Sequence, residues 1–200
     1  GLAVFFLSRI LGALYFINNI DDKDLVARSR RSLIGNSVLF LVFFLSFVIR
    51  TLLADGYAVK PETGEIFMEP YKYLTNFIEM PMVLVLFLIG VVLVLLGIGK
   101  SLLKPKFDKG IWFTGIGTVL AVLALLLVAG YNNTAYYPST SDLQSSLTLA
   151  NSCSSEFTLR VMFYVSFLVP FVLAYIFYAW RSIDIHKIDE KEMKDGGHSY

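Results

Sequence analysis

Residues 161–180 form a run of twenty consecutive residues without a charged side chain. An α-helix rises about 1.5 Å per residue, so a run of this length spans the roughly 30 Å hydrocarbon core of a bilayer. The preceding segment, residues 131–159, is rich in Ser and Thr but contains no Lys or Arg. A polar loop that leads into such a helix predicts an integral membrane protein.

Four further stretches pass the same test of length and apolarity. Hydrophobic residues make up 56% of the 200-residue chain and charged residues only 16%, a balance that a soluble domain of this size does not need. We therefore predict an all-α integral membrane protein, with residues 1–200 forming a single membrane domain. The chain opens inside an apolar run without an initiator Met, so we expect the C-terminal part of a longer subunit. The five predicted transmembrane helices are residues 1–20, 33–53, 77–99, 111–130 and 161–180.

The basic residues are distributed unevenly among the connections between these spans. Residues 21–32, 100–110 and 181–200 hold twelve of the seventeen Lys and Arg side chains, whereas residues 54–76 and 131–160 hold three. Cytoplasmic loops of membrane proteins collect Lys and Arg. The distribution therefore predicts that the first span runs from outside to inside and that the C-terminus is cytoplasmic.

Two ionisable side chains, Arg9 and Glu79, lie within the predicted spans and are the candidate buried polar or assembly residues. A charge at the centre of a bilayer costs about 3 kcal/mol on insertion scales, so each is expected to have a partner. Arg9 lies eleven residues before Ile20, roughly 16 Å from that end of its helix. Glu79 lies in the first turn of the third predicted span, so a direct pair requires Arg9 to extend toward the outer surface. Pairing of each charge with a separate polar neighbour is the alternative, and the partner of Arg9 can also lie in helices of a longer subunit that this sequence lacks.

Glycine and proline residues inside the spans predict where helices pack closely or bend. Pro170 removes one hydrogen bond from the fifth span and predicts a bend, and Ser166 is placed to satisfy the freed carbonyl group. Small residues allow helix backbones to approach each other in lipid. The glycines predicted to pack in this way are Gly12, Gly90, Gly97, Gly115 and Gly117.

Several classes of site are not predicted by this sequence. The single Cys153 cannot form an internal disulfide, and no His/Cys cluster has the spacing of a structural metal site. The chain also lacks a phosphate-binding glycine loop and a nucleophile elbow. We predict no catalytic residue, no metal ligand and no nucleic-acid partner for this chain.

Sequence patterns near the C-terminus resemble subunit II of the cytochrome bd-type quinol oxidases, which use ubiquinol or menaquinol. The resemblance lies in Y-P-S-T at residues 137–140, in N-S-C-S-S-E-F-T-L-R-V-M at residues 151–162, and in L-V-P-F-V-L-A-Y-I-F-Y-A-W at residues 168–180. In addition, G-A-L-Y at residues 12–15 resembles the fifth helix of that subunit, and N-F-I-E-M-P at residues 76–81 resembles the start of its seventh.

The resemblance implies a specific architecture and a specific complex. Subunit II of that family has two four-helix bundles and a peripheral helix, so this chain would supply helices five to nine, a four-helix bundle plus one peripheral helix. It would be the non-haem subunit of a quinol:oxygen oxidoreductase in a bacterial inner membrane, surrounded by lipid and supporting assembly of subunit I, which holds haems b and d. The resemblance places no cofactor in this chain, although some members hold a structural quinone and a small accessory subunit. The alternative is a transporter or channel subunit with a polar path near Arg9 and Glu79.

Overall fold

The computed structural model describes residues 1–183, and the predicted cytoplasmic tail beyond them lies outside the described residues. Within that range, five helical segments are long and apolar enough to cross a membrane, which confirms the predicted all-α integral membrane class. The helices are α1 (Leu2–Asn19), α2 (Lys23–Leu53), α3 (Lys72–Glu79), α4 (Pro81–Leu103), α5 (Gly110–Gly130), α6 (Glu156–Ser166) and α7 (Val169–Ile183). Two short strands, β1 (Gly56–Val59) and β2 (Ile66–Glu69), and a single 3₁₀ turn complete the fold.

Two helical hairpins, α1–α2 and α4–α5, pack together into the predicted four-helix bundle. One buried cluster joins α1, α2 and α4 through large side chains, including Ile10 and Leu14 of α1, Leu33 of α2 and Ile98 of α4, and Ile111 of α5 packs against it. A second cluster lies toward the other end of the bundle and joins α3, α4 and α5. We call the end that carries residues 20–32 and 104–109 the basic side, and the end that carries β1 and β2 the hairpin side.

Glycines bring α4 and α5 into backbone contact. An ideal Cβ atom at Gly90 would lie 2.8 Å from the Gly117 carbonyl oxygen, and one at Gly97 would lie 2.8 Å from the Gly110 carbonyl oxygen. Any larger residue at these positions would force the helices apart. The packing prediction is confirmed for Gly90, Gly97 and Gly117, but within the described residues it is wrong for two others. A Cβ atom at Gly12 or Gly115 would meet no atom within 4 Å.

The structure differs from the predicted boundaries in two places on the bundle. α2 begins at Lys23 because the Asp22 carboxylate accepts hydrogen bonds from the first-turn amides, so the basic segment is helical rather than a loop. The predicted third span is divided at Met80 into α3 and α4, with Pro81 as the first residue of α4. Proline lacks an N–H group and disfavours helical geometry in the preceding residue, so one helix ends and another begins there.

The fifth span is the peripheral helix that the resemblance implies. It consists of α6 and α7, and the side chains described in residues 156–182 are exposed except for the half-buried Ala179. The Trp180 ring reaches the bundle at Tyr15, with 6.4 Å between ring centroids. The helix is interrupted just before Pro170, and the Ser166 hydroxyl donates to the Phe163 carbonyl oxygen at 2.6 Å. Ser166 therefore does not satisfy the group freed by Pro170, as had been predicted, because its hydroxyl is already bonded within α6.

A small cap that the sequence did not predict covers the hairpin side. β1 and β2 pair in antiparallel fashion, and Ala58 of β1 also forms a bridge with Thr134 after α5. Gln144 extends this pairing, because its side-chain amide bonds both the N–H and the carbonyl group of Ile66. The two connections on this side therefore form one layer.

Candidate functional site

Arg9 lies on the exposed side of α1, whose opposite side buries Ile10, Leu14 and Ile17 in the bundle. The guanidinium carbon lies 5.9 Å from the centroid of the Phe5 ring, one turn earlier in the helix. Across residues 1–183, Arg9 forms no side-chain hydrogen bond and no ion pair. The partner that a charge within a span requires is therefore absent from the described part of this chain.

Glu79 lies elsewhere and has a different partner. It is the last residue of α3, exposed on the hairpin side, and its carboxylate accepts a hydrogen bond from the Asn132 side chain. Glu79 therefore precedes the membrane-spanning helix α4. The prediction that it lies in the first turn of the third span is wrong. Within the described residues, the two candidates do not form the direct pair considered above.

A buried polar network that sequence reasoning missed connects α3 to the end of α5. The fully buried Asn76 side chain donates to the Val128 carbonyl oxygen at 2.9 Å and to the Thr134 hydroxyl at 2.8 Å. It also accepts a hydrogen bond from Asn132 at 3.0 Å. Asn132 and Asn133 both have positive φ, a conformation that Asn tolerates better than most residues. The adjacent residues Asn132 and Asn133 were the signal in the sequence that could have predicted this turn.

On the basic side, Arg30 of α2 closes the C-terminal end of α4. Its guanidinium donates to the carbonyl oxygens of Ser101, Pro105 (2.7 Å) and Phe107 (3.2 Å). The last carbonyl groups of a helix lack partners within the helix and carry partial negative charge, so a guanidinium is well matched to this position. The contact joins the two hairpins at their polar ends.

An apolar cavity of about 550 Å³ lies between the hairpins, lined by residues of α1, α2, α4 and α5. Thr118 is the polar side chain in this lining, and its hydroxyl already donates to the Thr114 carbonyl oxygen at 2.7 Å. The cavity suits a hydrocarbon chain. Its side chains offer no free hydrogen-bond donor to a polar headgroup.

Residues 1–183 match the sequence model of the family described as Cytochrome bd terminal oxidase subunit II. The chain belongs to this family. A relative from Escherichia coli (strain K12), Cytochrome bd-I ubiquinol oxidase subunit 2, is 30% identical over 158 residues, which cover 72% of this chain and 40% of the relative. The proteins of the same name from the O157:H7 strain and from the O6:H1 strain CFT073 match to the same extent. The chain therefore spans about 40% of the length of these relatives.

Members of the cytochrome bd family are haem oxidases, so the residues present must be compared with what a haem needs. Residues 1–183 contain no His, and no group of three His, Cys, Asp or Glu side chains in that part of the chain lies close enough to hold a metal ion. The described residues therefore lack His, the most common axial ligand of haem iron. For a quinone, the apolar cavity fits the hydrocarbon tail but not the headgroup, whose carbonyl oxygens require donors.

Proposed function

We propose that this chain acts as the non-haem subunit of a quinol:oxygen oxidoreductase in aerobic respiratory electron transport. The observation that carries the proposal is the family match over the whole described chain. In this proposal the chain corresponds to helices five to nine of subunit II, and the haems belong to a partner subunit. Its own residues supply a rigid membrane scaffold on which the haem-bearing subunit assembles.

The contacts between helices support a scaffold role. Backbone contact between α4 and α5 leaves little freedom at that interface, and Arg30 fixes the first hairpin against the second. On the opposite side, the Asn76 network fixes the cap against α5. A bundle closed at both polar ends is suited to hold a neighbouring subunit in a constant position.

The distribution of charge supports an orientation in a bacterial inner membrane. Arg28, Arg30 and Arg31 in the first turns of α2 and Lys104, Lys106 and Lys109 between α4 and α5 lie on one side of the bundle. We infer that this basic side faces the cytoplasm, since positive charge is retained there. The cap on the hairpin side then faces outward.

Purification of the assembled complex tests the proposed function. The full-length gene would be expressed with its neighbouring genes, a tag on this chain would be used to isolate the complex, and a reduced-minus-oxidised spectrum would be recorded. We expect haem bands and quinol-dependent oxygen consumption in the purified fraction. An inserted, stable chain that purifies without any haem protein would overturn the proposal.

A further inference from the structure

The exposed side of α1 presents a regular stripe of residues at alternating spacings of three and four. All five members of this stripe are exposed, and we call them the α1 stripe: Leu2, Phe5, Arg9, Gly12 and Phe16. A spacing of this kind is the pattern by which one helix packs along another. Gly12 lies one turn from Arg9 with open space around its Cβ position, which leaves room for a second helix backbone.

Arg9 determines what that second helix must carry. It lies about 10 Å from the Leu2 end of α1 and about 15 Å from the Asn19 end, so it is well inside the span. A guanidinium has five donors and does not lose its proton, so within a membrane it needs acceptors. Phe5, its neighbour in this chain, provides only a ring face.

Within the described residues, a second copy of this chain would offer carboxylates only near the ends of its spans, not at the depth of Arg9. Asp24 and Glu156 lie in the first turns of α2 and α6, and residues 2–19, 33–53, 81–103, 110–130 and 161–183 contain no Asp or Glu. Glu79 precedes α4 by two positions, but it lies at the hairpin side and accepts a hydrogen bond from Asn132. The acceptor must therefore come from a helix outside residues 1–183 of this chain.

We propose that the α1 stripe is the docking surface for a transmembrane helix of the partner subunit, and that an ionised Asp or Glu on that helix pairs with Arg9. The inference rests on the proposed function, because it requires a partner subunit. Charge complementarity is the basis for the assignment: a lone cation on an otherwise apolar face favours an anion at the same depth. The pair would fix both the register and the rotation of the two helices.

Variants of Arg9 in the full-length complex test the proposal. Arg9→Leu should reduce the partner that co-purifies with this chain by about tenfold, since a carboxylate on the partner would be left unpaired. Arg9→Lys should lose less, because the positive charge remains. The matched control is Arg50→Leu, which removes an exposed Arg in the last turn of α2 and should leave the amount of partner unchanged.

A second measurement does not depend on how the charge variants fold. A photo-reactive phenylalanine analogue at Phe16, within the α1 stripe, should cross-link to the partner subunit, and the same analogue at the exposed Val119 of α5 should not. A haem-containing complex in which the analogue at Phe16 cross-links only to lipid, to this chain's own polypeptide or to a second copy would overturn the docking surface alone. Wild-type amounts of partner with Arg9→Leu would overturn the proposed pair. A wild-type chain without any haem partner would overturn both this inference and the proposed function.

Discussion

Gly97 of α4 and Gly110 of α5 face each other so closely that an ideal Cβ atom on either would lie 2.8 Å from the other's carbonyl oxygen. Gly90 and Gly117 repeat the relationship at 2.8 Å and 2.6 Å. The two glycines in each helix are seven positions apart, so both contacts fall on one antiparallel seam. Between lipid tails, close van der Waals packing of this kind is a main source of helix association.

The first prediction concerns this seam. Gly97→Ala should destabilise the bundle by about 1–3 kcal/mol, because its methyl group would collide with the Thr114 backbone as well as with the Gly110 carbonyl oxygen. Gly99→Ala is the control two residues away in the same helix, where the added Cβ would meet nothing within 4 Å. Unfolding of the purified chain by SDS measures both. Equal midpoints for the two variants would show that the seam is not tight.

Arg30 provides the second prediction, which concerns the basic side. Arg30→Ala should cost about 2–3 kcal/mol, since the Ser101 carbonyl group at the end of α4 and the Pro105 carbonyl group just after it lose a charged donor. Arg30→Lys should recover only part of this loss, because an ammonium cannot reproduce the planar fork. Trypsin cleavage of detergent-solubilised protein between α4 and α5 should accelerate in Arg30→Ala. The control is Arg31→Ala, which removes the exposed neighbour of Arg30. A similar acceleration of cleavage in Arg31→Ala would contradict the role of Arg30 at the end of α4.

The third prediction concerns Asn76. Asn76→Leu keeps the volume but removes three hydrogen bonds, leaving the Asn132 amide and the Val128 carbonyl group each without one partner. Each buried polar group left unsatisfied costs about 1–3 kcal/mol. We expect faster amide hydrogen exchange at residues 128–134 in this variant. The adjacent Thr75 takes part in none of these three bonds, so Thr75→Ala should exchange like the wild type. A change of the same size in both variants would argue against the network.

Orientation is the fourth prediction. With Cys153 replaced by Ser, a cysteine introduced by Ser145→Cys should react in intact cells with a membrane-impermeant thiol reagent, and one introduced by Lys106→Cys should react only after lysis. Both positions are exposed, so lack of reaction reports the side of the membrane. Labelling of Lys106→Cys alone in intact cells would reverse the proposed orientation.

The fifth prediction concerns alkaline pH. Burial raises the pKa of the Tyr73 hydroxyl above its ordinary value of 10.0, and the nearby Tyr57 adds to the rise. Between the unfolded and folded pKa values the unfolded chain binds fewer protons, so stability falls as pH rises. The neutral form therefore stabilises the cap fully below about pH 10 and progressively less above it. Stability measured across this range should fall more steeply in wild type than in Tyr73→Phe, and parallel curves would contradict the assignment.

The sequence by itself determined the membrane class, the number of spans and the family. Transfer of a segment into lipid depends on its own residues, so an uncharged run such as residues 161–180 identifies a spanning helix without knowledge of its neighbours. The basic residues predict the orientation in the same local way, and that orientation stays a prediction. The quoted motifs around residues 151–180 carried the family resemblance, which the match over residues 1–183 confirms.

The tertiary structure decided which residues meet. α4 and α5 are apolar on all sides, so no amphipathic stripe reveals which face packs. The presence of glycine does not reveal the packed face either, because within the described residues a Cβ atom at Gly12 or Gly115 would meet no atom within 4 Å. Asn76 and Asn132 are partners across 56 positions of sequence because the rotation and depth of α3 and α5 bring them together. The same geometry separates Arg9 from Glu79, which sequence reasoning considered as a pair. Contacts of this kind depend on how helices rotate and how deep they lie, quantities that the hydropathy of a single span does not contain.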